Sequence, residues 1–227
     1  MAKKSPVFPG TCHLPRTLPC LLCWLAIVLA CTADFAVAAG ADDLLKTVAE
    51  RTRDTRTLHA AFRQERNLSI LDRPLVSSGH LCVRRNPDDP AASSVLWAYT
   101  APLASGFVWE SGKARRWGNE GQPVQARDAE AALMDVIARQ VLDWIAIDPA
   151  ATAKRYQTET VDTPQGPGVR LRPREPGQSP FIAMTAIFAP TLDRLAGLVF
   201  VDTNGDATTL RFENVQVNRP LPEECRR

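Results

Sequence analysis

From Leu58 to Trp117 apolar and polar residues alternate in short runs separated by turn residues, the pattern of antiparallel strands with one face toward a core. The spacing predicts strands over Leu58–Leu71 and Leu75–Arg85, parted by Asp72-Arg73-Pro74, then over Val95–Thr100, Gly106–Glu110 and Lys113–Trp117, with Ser111-Gly112 as a hairpin turn. Asn86-Pro87-Asp88-Asp89-Pro90 reads as a loop, because its two prolines remove donors from any ladder. The alternation returns at Tyr156–Val161, Val169–Arg174, Phe181–Ala189, Leu195–Asp202 and Ala207–Val217. Asn204-Gly205 is the strongest hairpin signal, since that pair favours the positive φ angles of a type I′ turn.

Two segments have a helical period instead. Leu44, Leu45, Val48, Thr55 and Leu58 recur at three- and four-residue spacing behind Asp42 and Asp43, whose charges suit a helix N-terminus. Arg127–Ile147 carries a broad apolar face of Ala131, Leu133, Met134, Val136, Ile137, Val141, Leu142, Trp144 and Ile145, with Asp128 and Glu130 at its start and Pro149 beyond its end. A face that broad has to be covered, by a core or by a cargo. In Phe181–Ala189 both faces are mostly apolar, whereas an antiparallel sheet with one wet side alternates more cleanly. A sandwich or barrel core with some exposed apolar surface accounts for this. So does a sheet with helix on one side and an apolar cavity for lipid on the other.

The N-terminus changes the picture. Lys3, Lys4 and Arg16 precede an apolar run without a charge, Leu18 to Cys31, and Ala36-Val37-Ala38 follows as a small-x-small cleavage signal. The run is shorter than the roughly 18–20 residues a membrane span needs, so residues 1–39 read as a cleaved export signal and residues 40–227 as a single domain. Val28-Leu29-Ala30-Cys31 offers a competing lipobox, in which an acylated Cys31 would become the mature N-terminus. The mass of that N-terminus separates a chain starting at Ala39 or Gly40 from an anchored one.

Charge and cysteine content narrow the function classes. The chain has 27 Lys+Arg and 25 Asp+Glu, but residues 1–39 hold three of the former and only Asp34 of the latter, which leaves the exported part at 24 of each. That balance does not suggest nucleic acid or an acidic substrate. Four cysteines fall in the signal; Cys82 and Cys225 remain, either as one bridge in an oxidising compartment or as two separate thiols.

No constellation for catalysis is visible. His59 and His80 form no H-x-x-x-H pair, and no cysteine spacing suits zinc. Ser77-Ser78-Gly79-His80 is not a nucleophile elbow, Asp202-Thr203-Asn204-Gly205-Asp206 lacks the alternate ligands and closing Glu of a calcium loop, and no phosphate-binding glycine loop occurs. No cofactor is expected, and an enzyme ranks last.

A set of ordered motifs carries a resemblance. A first helix runs into Leu58-x-x-x-Phe62-x-Gln64, then come Gly79-x-Leu81 with Val83-Arg84-Arg85, Leu96-Trp97-x-Tyr99-x-x-Pro102, and finally Thr209-Leu210-Arg211-Phe212-x-Asn214-Val215-x-Val217-Asn218-x-Pro220. In this order and behind an export signal, the chain resembles a divergent branch of the LolA family of periplasmic outer-membrane lipoprotein carriers, over about Asp42 to Pro222. The resemblance implies a mainly β fold, an unclosed antiparallel β-barrel with helices covering its concave apolar face. It also implies a periplasmic monomer that takes acylated lipoproteins, or a related lipid, from an inner-membrane exporter to an outer-membrane acceptor. The variants it leaves open are a specialised glycolipid or lipid-intermediate cargo and a LolB-like acceptor anchored through Cys31.

The family's lid-latching arginine maps onto Arg85, with Arg84 as the fallback, although Asn86 separates Arg85 from Pro87 and the loop at 88–93 is longer than in the standard carrier. The acyl-chain cavity is expected among Leu81, Val83, Trp97, Phe107, Trp109, Met184, Phe188, Phe200 and Phe212 on strands, with Leu133, Ile137 and Trp144 from the second helix. Ordinary core packing is the commoner role for any one of these residues. Only the set argues for a cavity.

Overall fold

The computed structural model describes residues 36–226 apart from 119, 120, 126, 176 and 178. Most of the segment read as an export signal, Cys31 included, therefore lies outside the described residues. Eleven strands form a single antiparallel sheet: β1 (Thr57–Asn67), β2 (Leu75–Arg84), β3 (Ser94–Ala101), β4 (Ser105–Glu110), β5 (Lys113–Trp117), β6 (Pro123–Val124), β7 (Tyr156–Thr163), β8 (Gly166–Pro173), β9 (Phe181–Phe188), β10 (Leu195–Asp202) and β11 (Ala207–Val217). Their order across the sheet is 6-5-4-3-2-1-11-10-9-8-7, so two sequential meanders meet where β1 pairs β11. β6 and β7 are the two edges, and the sheet does not close.

This order fixes where the helices go. β6 and β7 follow each other in sequence but stand at opposite edges, so the connection between them has to cross a face of the sheet. It does so as α2 (Asp128–Ile145) and α3 (Pro149–Arg155), while α1 (Ala36–Thr52) precedes β1. α1 buries Ala41, Leu45 and Val48, and α2 buries Met134, Ala138, Val141, Trp144 and Ile145. These side chains share one core with the inner, concave face of the sheet: Leu58, Ala60 and Phe62 of β1, Leu81 and Val83 of β2, Val95 and Trp97 of β3, Val169 and Leu171 of β8, and Phe188 of β9. At about 1.5–3 kcal/mol for each large apolar side chain removed from water, this shared core is the main force holding both helices down.

The outer face has a smaller core where the chain's tail crosses it. Cys82, Leu96, Ala98 and Trp117 are buried there, with Val108 and Cys225 packed against them. Cys82 and Cys225 are joined in a disulfide with Cα atoms 5.7 Å apart. His59 Nε2 lies 3.0 Å from Glu224 Oε1 beside it. The ligand-type atoms of His59, Cys82 and Cys225 lie within 4.8 Å of one another, but the two sulfurs are bonded to each other. The tail explains why Val95 to Ala98 are four consecutive buried residues: Val95 and Trp97 face the inner core, Leu96 and Ala98 the tail.

Several local expectations are corrected. α1 is described from Ala36 on, so Asp42 and Asp43 lie inside the described helix rather than ahead of it. It ends at Thr52, where the Thr55 N–H donates to the Thr52 carbonyl, and Leu58 belongs to β1. The second helix stops at Ile145, and a separate α3 follows, for which Asp148 is an N-cap accepting from the Ala151 N–H with Pro149 in the first turn. Asn204-Gly205 does not form a type I′ turn. Only Gly205 has positive φ, because Asp202 accepts from the Asn204 and Asp206 N–H groups and winds a longer loop. The turn with two positive φ angles is Ser111-Gly112, at 51° and 74°.

The disulfide closes a loop across 143 residues, and a cross-link of that span restricts the unfolded chain severely. Cys82→Ser/Cys225→Ser is expected to lose roughly 2–5 kcal/mol of stability while keeping the sheet. Urea unfolding measures this, and an unchanged midpoint would show that the tail adds nothing to the fold.

Candidate functional site

Strand β1 positions the site. Its alternation sends Leu58, Ala60, Phe62, Gln64 and Arg66 to the inner face, so this row runs from apolar to polar toward the loop at 68–74. Phe62 packs on Trp97 at 5.0 Å between ring centroids and stands edge-on to Tyr99 at 5.4 Å, 89° between planes. Trp97 lies parallel to Phe107 at 6.5 Å. Gly79, between Phe62 and Tyr99 in the register, makes this possible: a Cβ there would come within 1.9 Å of the Ala98 carbonyl oxygen and 2.8 Å of the Phe62 ring.

Beside this cluster a cavity of about 460 Å³ opens between the sheet and α2. Trp97, Phe107, Leu198, Phe200 and Leu210 line the sheet side, and Leu133, Val136, Ile137 and Val141 the helix side. Leu133 and Val136 are 45 % and 41 % exposed, so this part of α2's apolar face is not covered by the protein itself. A β-bulge at Ile182 shapes one wall: the register passes from Val201↔Ala183 to Asp202↔Phe181, which turns Phe181 into the cavity against Phe200, 4.8 Å between centroids, and leaves Ile182 exposed.

The rim is polar. The Tyr99 hydroxyl donates to Gln64 Oε1 at 3.0 Å, and Arg66, Gln140, Thr203 and Thr208 also border the space. Burial pushes the Tyr99 phenol above its ordinary pKa, with Trp97, Gln64 and Arg66 opposing that shift. Trp97 Nε1 is buried without a partner at full hydrogen-bond geometry, and the Tyr99 oxygen is the acceptor it approaches.

Two carboxylates fasten α2 to the sheet. Asp135 accepts from Trp109 Nε1 and from Arg139 Nε, each at 2.8 Å, and Arg139 stacks over the Trp109 ring at 5.5 Å. Glu130 accepts from Arg116 of β5 at 2.8 Å, from Arg127 Nη2 at 2.9 Å and from the Arg127 backbone N–H at 3.2 Å. The hydrogen bond from Arg139 draws the Asp135 pKa down against its burial, and those from Arg127 hold Glu130 down to about 2.

The residues singled out from the sequence divide into groups. Trp97, Phe107, Leu133, Ile137 and Phe200 come together around the cavity. Leu81 and Phe212, and separately Trp144 and Phe188, border two crevices of about 10 Å³ each, which makes them packing residues in this state. Val83 is buried beside Val95, and Met184 beside Leu171 and Phe200. Trp109 holds Asp135 rather than lining the cavity. Arg85 Nη1 donates to the carbonyls of Arg53 at 2.8 Å and Thr55 at 3.1 Å, in the turn after α1, and its pKa is lowered by burial and then by Arg56. Arg84 is exposed on the outer face, beside a space bordered by Cys82, Leu96, Val108 and the tail. The sequence reading missed Val136, Val141, Phe181, Leu198 and Leu210 as lining residues, and the whole polar rim. Alternation in Phe62–Arg66 carried the signal for Gln64 and Arg66.

The chain matches no model of a known protein family, and no curated protein matches its sequence. Among solved structures it is similar to MucB, at 18% identity and a TM-score of 0.50, with 82% of this chain and 62% of that one covered. A Pseudomonas aeruginosa MucA/MucB complex aligns at 18% identity and 0.49, covering 82% and 59%. A LolA superfamily protein from Nitrosomonas europaea aligns at 10% identity and 0.38, covering 81% and 96%. The chain thus spans about three fifths of the MucB chains it matches, and the likeness is one of fold.

Both fastening carboxylates have lowered pKa values, so the stability they contribute is complete above the unfolded carboxylate range of about 4 and is lost as the pH falls through the folded values, about 2 for Glu130. Acidification from pH 5 to about 2 is therefore expected to loosen α2 before the sheet melts. Hydrogen exchange of α2 amides against those of β1 checks this, and simultaneous loss of both would reject it.

Proposed function

We propose that this chain is a divergent LolA-like carrier, exported to the periplasm, that shields acyl chains while they cross water. The observation that carries the proposal is the cavity bounded by Trp97, Phe107, Phe200, Leu133 and Ile137, where the uncovered part of α2's apolar face meets the aromatic part of the sheet. Moving a methylene from such a site into water costs about 0.8 kcal/mol, so a long chain cannot leave unaided, and a carrier has to open to release it. α2 is suited to that opening because polar pairs at Glu130 and Asp135 fasten the part of the helix that carries its uncovered apolar residues. Arg85 serves as a latch, tying the end of β2 to the turn after α1 through the Arg53 and Thr55 carbonyls. A guanidinium can hold several carbonyls at once.

Residues 1–39 serve as the export signal. No helix among the described residues is long and apolar enough to cross a membrane. The cargo is acylated, a lipoprotein or a related lipid, received from an inner-membrane exporter and passed to an outer-membrane acceptor.

Phe200→Glu places a charge in the cavity wall at a half-buried position and is expected to weaken binding of a hydrophobic fluorophore at least about tenfold without unfolding the protein. Arg85→Leu is expected to keep fluorophore binding but change its release rate. Stopped-flow fluorescence measures both, and wild-type behaviour of folded Phe200→Glu would overturn the carrier reading.

A further inference from the structure

The shape and polarity of the cavity restrict what it can carry. At about 30 Å³ of liquid volume per water, 460 Å³ corresponds to roughly fifteen waters. A methylene takes up nearly the same space, so the volume is that of a single acyl chain of about fifteen carbons. Two or three chains do not fit beneath α2 as it lies.

The polar groups are gathered at one end of this space and are mostly donors. Arg66 and Gln64 are two residues apart on β1 and so share the inner face. Thr208 stands opposite Arg66 across β11. Arg63 and Arg211, on the outer face, share Glu65, whereas Arg66 pairs with no carboxylate among the described residues. The Gln64 side chain is 8 % exposed, and its carbonyl already accepts from Tyr99, which leaves its amide N–H groups as what it can offer. Behind it the Trp97 indole N–H is buried, with only a loose approach to the Tyr99 oxygen, so it can donate to a better-placed acceptor. The carboxylate that borders the cavity, Asp202, is turned into its own hairpin, where it accepts from the Asn204 and Asp206 N–H groups.

We infer that the site binds one single-chain amphiphile at a time, its alkyl chain between Phe107, Phe200 and Ile137 and an anionic headgroup against Arg66, Gln64 and Trp97. This rests on the carrier reading and narrows its cargo, from a lipoprotein or a related lipid to the second of these, a single-chain lipid. The recognised chemistry is a carboxylate or phosphate on one acyl chain, and the arrangement disfavours neutral heads and lipids with several chains.

The test uses the purified protein with palmitate, palmitoyl-lysophosphatidylglycerol, monopalmitoylglycerol and dipalmitoylphosphatidylglycerol, with native mass spectrometry for stoichiometry and calorimetry for affinity. Both anionic single-chain probes, or one of them if the head is specifically a carboxylate or a phosphate, should bind one per protein and more tightly than the neutral or two-chain probe. Arg66→Gln, at an exposed position, should weaken anionic binding about tenfold and leave monopalmitoylglycerol unchanged. Equal binding of the anionic probes by Arg66→Gln, or of the two-chain probe by wild type, would overturn the inference while leaving the carrier reading intact. Failure of every probe to bind would overturn both.

Discussion

A single connection between the two far edges of an open sheet determines most of this architecture. Because β6 and β7 are consecutive in the chain but stand at opposite edges of an eleven-stranded sheet, whatever joins them must lie across a face. The inner face is the apolar one, so the crossing segment is amphipathic and becomes a cover. Closing the sheet would have removed the edges but also the need for that cover. The cavity exists because α2 spans the concave face without filling it.

The two sides of α2 are held by different physics. Toward Trp144 and Ile145 the contact is dry packing against the sheet and the end of α1, which cannot be undone in small steps. Toward Glu130 and Asp135 it is a set of charge-assisted hydrogen bonds at partly exposed positions, each replaceable by water at modest cost. A lid fastened in this way has one fixed end and one that can yield. The cavity lies at the yielding end, bordered by Leu133, Val136 and Ile137.

How much of this was legible in the sequence depended on how local its cause was. Lys113–Trp117, Leu195–Asp202 and Ala207–Val217 have the boundaries the alternation predicts, since each strand has one face on the core and turn residues at both ends. The start of α3 is equally local, an Asp148 N-cap followed by Pro149, which the longer apolar face before it masks. The bulge that turns Phe181 inward has no such signature, because both Phe181 and Ile182 are apolar and only the pairing with β10 decides which of them faces the cavity. The same holds for Leu81, Trp109, Phe188 and Phe212. An aromatic or aliphatic side chain on an inner strand looks the same in sequence whether it borders a cavity or fills a core, and the distinction is made by how closely α1 and α2 approach it. Gln64 and Arg66 were visible as inward positions, but their meaning depended on a tyrosine and a tryptophan brought across from β3.

The pairing of β1 with β11 also sets a timetable. Each meander consists of neighbouring hairpins that can zip locally, yet the two halves share the sheet only after β11 has met β1, some 150 residues upstream. Such a long closure is slow, and until it happens both halves keep an unpaired strand and the aromatic inner surface in contact with water. A ribosome-bound chain cannot complete this step, because β11 is the last of these strands to appear. The central seam of the sheet is therefore the part that has to wait for the whole chain, and until it closes the apolar inner face that α2 covers is left bare.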